Sequence, residues 1–165
     1  MLAPNTPAGI KPLQIIYLAF GAGVMMFVLA TLVLGGAAPA QPTGSPPPAN
    51  VLMLALLAVA LASAGVGWFW WFQSAKLAGR QWAARTDDEA GAAAMLKLFS
   101  TRSVLVGAMA EGVGLFAAVI LFLSRNPLAH IGVFASLATL ALLFPTRQKL
   151  QDFVRLATES SHKSP

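Results

Sequence analysis

Apolar residues in this chain come in runs too long for a strand or an ordinary core helix. Four runs stand out, Leu13–Leu34, Val51–Phe72, Val104–Leu123 and Leu128–Phe144. A helix needs about 20 residues to cross a roughly 30 Å hydrocarbon core, with about 17 as the lower limit. The first three runs meet that length, and the fourth sits at the limit between Pro127 and Pro145. Hydrocarbon offers no partner to a backbone amide, so each segment must satisfy its own, which favours helices over strands. The pattern predicts an all-α fold: an integral membrane four-helix bundle of two tandem hairpins, a single membrane domain over residues 1–165.

The polar intervals complete the layout. Residues 35–50 (GGAAPAQPTGSPPPAN) form an uncharged outer loop, in which Pro46-Pro47-Pro48 favours an extended spacer. Residues 73–103 form the inner loop. Within it Thr86-Asp87-Asp88-Glu89 has the form of a capping box, and the helix it starts should run through Met95, Leu96 and Phe99 into the third span. Residues 145–165 form a tail where Leu150, Phe153, Val154 and Ala157 recur at helical spacing. That spacing predicts a short helix lying on the inner membrane surface.

Composition agrees with lipid as the solvent. Hydrophobic residues make up 57% of the chain and charged ones 10%, with mean hydropathy +0.70. Soluble domains carry about 25% charged residues. A net charge of +5 would suit nucleic acid, but the placement of the charges points to topology instead. With the N-terminus in the cytoplasm, ten of the eleven basic residues lie inside, and Arg125 alone lies outside. By the positive-inside rule both termini are cytoplasmic. The bilayer is the expected partner, and nucleic acid is not. The first run exceeds the usual length of a signal-peptide core, so it is expected to remain uncleaved. Trp68, Trp70 and Trp71 close the second span and mark its cytoplasmic interface.

Glu111 is the one ionisable side chain inside the four runs, in the middle of the third. An ionisable group at that depth costs a few kcal/mol, which makes it a candidate functional site. Gly107, Glu111, Gly114 and Ala118 share one helical face. Small residues permit close helix packing in lipid, so Glu111 is expected to face other helices. Ser63 and Ser136 lie near its depth and could bond to the carboxyl group. No Lys or Arg stands inside the spans to pair with it, so the protonated form is the expected one. Holding helices together is the first reading of this residue. Proton or cation handling is the second, and contact with a ligand or with a partner, a homo-oligomer or another membrane protein, the third.

Nothing in the chain spells a catalytic motif, a metal site or a cofactor site. There is no cysteine, and neither His130 nor His162 has ligand-spaced company. An enzyme is not expected.

The two halves resemble each other. The stretch from Lys11 to Gly23 aligns without gaps to the stretch from Arg102 to Gly114, with Phe20 in the column of Glu111 and Gly-x-Gly following in each. Both hairpins start from the cytoplasm, so the repeat would be parallel. Lys11, Gln14-Ile-Ile-Tyr17, Gly21 and Phe27, with Arg102 and Glu111-Gly112 in the third span, resemble small four-span bacterial membrane proteins of unassigned function. That resemblance covers all four spans and implies the bacterial inner (plasma) membrane and no established activity. The chain is more distantly similar to the proteolipid (c-type) subunits of rotary ATPases, hairpins with small-residue helices and a mid-membrane carboxylate. Their carboxylate lies in the second helix of a hairpin, whereas Glu111 lies in the first. A periplasm-dependent reporter enzyme fused within residues 35–50 should be active, and the same fusion near residue 76 inactive; the reverse pattern would invert the topology.

Overall fold

The computed structural model describes residues 10–37, 49–83 and 88–162. Among these residues there are five helices and no strand: α1 (Lys11–Ala37), α2 (Ala49–Ala83), α3 (Asp88–Ser124), α4 (Ala129–Leu143) and α5 (Arg147–His162). Three helices contain stretches long and apolar enough to cross a membrane, Lys11–Leu34, Asn50–Ala78 and Ala93–Ser124. Residues 38–48 of the proline-rich loop and Thr86-Asp87 of the capping box lie outside the described residues, and the ends of the predicted loop belong to α1 and α2. From Asp88, α3 runs unbroken through Met95, Leu96 and Phe99 into the apolar run, as its sequence predicts.

The fourth run is shorter than its sequence suggests. α4 has 15 residues, which at about 1.5 Å each is about 22 Å. It passes as a span only jointly with Arg147–Leu156, across a bend of 72°. Local chemistry fixes both ends. Pro145 disfavours helix in the residue before it, and α4 stops at Leu143. At the start, Asn126 accepts a hydrogen bond from the Leu128 amide through Oδ1 at 3.0 Å, so Pro127 sits in a turn and not in the helix. Arg125, at φ 51°, takes the left-handed conformation that ends α3, and its amide donates to the Leu121 carbonyl at 3.0 Å.

The described contacts gather in two compact units. Unit 1 comprises Met1–Tyr17, Val66–Val106 and Phe144–Pro165. Its core joins Ile10, Leu13, Ala78, Met95, Phe99, Leu150 and Phe153. Here the tail departs from expectation. The apolar face of α5 is engaged by protein, with Leu150 and Phe153 buried in this core and Phe153 packed on Phe99 with ring centroids 5.7 Å apart. Amphipathic spacing fits docking on protein as well as on lipid. Thr146 decides where α5 begins, its hydroxyl accepting from the Lys149 amide at 3.3 Å in an N-cap. Side chains close the break before it. Gln14 donates to the Pro145 carbonyl at 3.1 Å, and Lys149 to the Phe144 carbonyl at 3.0 Å. Tyr17 donates to the Ser103 carbonyl at 2.8 Å and meets the Phe144 ring edge-on.

Unit 2 comprises Leu18–Gly65 and Gly107–Leu143. Its core contains Val24, Leu56, Ala117, Ala118, Ile120, Ala129 and Val133. Close approach depends on Gly132. A Cβ there would stand 2.8 Å from the Ala117 Cβ and 3.1 Å from Leu56 Cδ2. Outside these cores, large apolar side chains face outward on every helix, among them Leu18, Val33, Leu54, Phe134 and Leu142. Of the three long apolar stretches, that of α3 is the most enclosed, 39% against 17% in α1 and 6% in α2.

Phe153→Ala should cost about 3–5 kcal/mol, the usual range for emptying an aromatic core site. Limited proteolysis should then cut α5 before the other helices. Unchanged protection of α5 would show that Phe153 does not anchor it.

Candidate functional site

The site predicted on the third span lies in α3, within unit 2. Helical spacing puts Gly107, Ala110, Gly114, Ala117 and Ala118 on adjoining stripes, and all are buried. Glu111 sits at the margin of this small-residue surface, half-buried.

Gly23 of α1 makes room for the carboxyl group. A Cβ on Gly23 would stand 2.9 Å from Glu111 Oε1, so the carboxyl oxygen occupies space that any other residue would fill. The next contact involves α4. A Cβ on Gly114 would run into the Ser136 hydroxyl, and would lie 2.9 Å from Ser136 Cβ and 3.1 Å from Val24 Cγ2. Because Gly114 has no side chain, Ser136 reaches the α3 backbone itself. Its hydroxyl donates to the Ala110 carbonyl at 2.6 Å. In an α-helix the carbonyl of residue i bonds to the amide of residue i+4, here Gly114. A carbonyl oxygen has two lone pairs, and a glycine at i+4 leaves the second uncovered.

Of the residues singled out from the sequence, the structure brings together Glu111, Gly107 and Gly114 on α3, with Ser136 beside Gly114. The Ser136 proton goes to Ala110 and not to the carboxyl group. Ser63 is half-buried on α2. Two participants had not been named for the site, Gly23 and the Ala110 carbonyl. Gly23 was discernible, since it aligns with Gly114 in the two halves, and both now prove to be places where another helix comes close. The Ala110 carbonyl leaves no mark in a sequence. Among the described residues, no three His, Cys, Asp or Glu side chains cluster as metal ligands. No protein-family model, curated protein or solved structure matches the chain.

The two glycines should respond differently to alanine. Gly114→Ala presses on the fixed Cβ of Ser136 and should destabilise by about 1–3 kcal/mol, as overpacking generally does. Gly23→Ala meets only the end of a flexible side chain, so the carboxyl group can swing aside at much smaller cost. Unfolding in mixed micelles ranks the two variants, and equal losses would mean that α1 and α4 approach α3 with equal rigidity.

Proposed function

We propose that the protein is a multi-pass membrane protein of the bacterial inner membrane with both termini in the cytoplasm. It acts without catalysis, as a scaffold or accessory subunit, alone or with further copies or another membrane protein. Outward-facing apolar side chains on every helix support the membrane setting, because water tolerates only small contiguous apolar patches.

The observation that carries the scaffold reading is the use made of Ser136. A polar relay needs exchangeable partners in sequence. The Ser136 hydroxyl, buried near the level of Glu111, is bonded instead to a main-chain carbonyl of the neighbouring helix. Such a bond fixes helix against helix, and polar contacts of this kind contribute about 0.6 kcal/mol on average in membranes.

A second reading rests on Glu111 itself. Its carboxyl group is half-buried, with Oε1 against the α1 backbone at Gly23. A carboxyl group so placed could take up and release a proton or a cation. Dicyclohexylcarbodiimide modifies protonated carboxyls in apolar surroundings and separates the two readings. Under the scaffold reading, labelling of Glu111 is slow and Glu111→Gln shifts stability by no more than about 1 kcal/mol. Rapid labelling, together with a proton flux in proteoliposomes that Glu111→Gln abolishes, would replace the scaffold with the transport reading.

A further inference from the structure

Arg102 is a basic residue that the topology rule counts as a cytoplasmic marker, yet it is only 5% exposed. It lies in unit 1 on α3, just before the third apolar run. Its guanidinium carbon is 3.0 Å from the centroid of the Trp71 ring and 5.2 Å from that of Phe153. Aromatic faces attract a cation and offset part of its lost hydration. They do not accept its in-plane N–H groups, of which a guanidinium has five.

No acid among the described residues pairs with it. The described ion pairs join Arg155 to Asp152 at 3.6 Å and to Glu159 at 4.0 Å. The Tyr17 hydroxyl is bonded to the Ser103 carbonyl. On α2 a different donor, Trp70 Nε1, is enclosed and has no hydrogen-bond partner. Leaving such a group unsatisfied costs about 1–3 kcal/mol. Gly67, Trp70, Trp71, Ser74 and Ala78 follow helical spacing on one face of α2. That face is turned to α3, since a Cβ on Gly67 would stand 4.0 Å from Val106 Cγ1 and Trp71 covers Arg102. A buried guanidinium and an enclosed indole N–H without an acceptor thus lie on facing helices. The sequence adds charge of one sign, as unit 1 has ten basic residues against five acids.

We infer that Arg102 and Trp70 hold the phosphodiester of an anionic phospholipid at the cytoplasmic interface, the guanidinium bonding the phosphate oxygens and the indole N–H adding a third contact. The inference rests on the membrane setting proposed above. A planar guanidinium matches phosphate geometry well. A lipid suits the surroundings better than a free anion, because Trp68, next to Trp71 on the helix surface, is 70% exposed and packs against Phe72, 50% exposed. They offer apolar surface to the acyl chains beside the phosphate.

Native mass spectrometry of the full-length protein from detergent with equimolar phosphatidylglycerol and phosphatidylcholine tests the inference. Wild type should retain one phosphatidylglycerol in preference to phosphatidylcholine. Arg102→Gln should lower that retention by at least about fivefold, the factor for one basic contact at a membrane surface. Trp70→Phe should lower it less, and exposed Lys97→Gln should leave it unchanged. Equal retention of the two lipids by wild type would overturn the site, as would full retention by Arg102→Gln. Displacement of the lipid by millimolar inorganic phosphate would overturn its lipid form. If Arg102→Gln does not fold, the wild-type preference and Trp70→Phe still decide. Release of the protein from cell membranes by alkaline carbonate would defeat the membrane setting itself, whereas a retained protein indifferent to lipid charge defeats only the site.

Discussion

Unit 2 depends on one constraint: where α3 meets α1 or α4, one of the two helices must expose bare backbone. In the membrane setting proposed above, lipid would give no hydrophobic drive for helices to associate, so contact area, close packing and a few polar bonds would have to hold them. Gly114 and Gly132 supply the first two. Each stands where a methyl group would meet a fixed Cβ of the opposite helix, Ser136 in one case and Ala117 in the other. The hydroxyl bond to Ala110 follows from this closeness, because no serine side chain could span a wider gap. The space for the Glu111 carboxyl group arises in the same way at Gly23, from a missing side chain on α1.

Unit 1 is held by different means. Its core is aromatic and carries side-chain bonds to main-chain carbonyls. Gln14 and Lys149 donate to carbonyls at the break before α5, and Tyr17 donates to the Ser103 carbonyl inside α3. The carbonyls before α5 cannot be satisfied by a helix that has already stopped, and the Gln14 and Lys149 side chains take that place. Arg102 is the exception in this set, a buried cation between two rings.

What the sequence reveals and what it conceals follow from range. Apolar runs locate α1, α2 and the lower part of α3, because helix and lipid contact both depend on local pattern. The expected continuation from the inner segment into the third run holds from Asp88 on, while Thr86 and Asp87 lie outside the described residues. The end of α4 is less legible, since Pro145 marks a stop without fixing how many residues before it are lost. Partner choice is hidden altogether. A serine near a glutamate in depth suggests a bond between them, and only the separation of α3 and α4 diverts it to Ala110. The same holds for α5, whose spacing is equally good for lipid and for Phe99. Arg102 reads as one basic residue among eleven, and its burial depends on Trp71 and Phe153, which are distant in sequence.

The contact between Gln14 and Pro145 joins residues 131 positions apart. The first turn of α1 therefore has no complete set of neighbours until α5 has been made. During synthesis Ile10, Leu13 and Tyr17 emerge long before Phe144, Leu150 and Phe153 exist to cover them. Unit 2 needs nothing beyond Leu143 and can close sooner. The order of assembly is thus set by connectivity, with the segment that emerges first among the last to find its place.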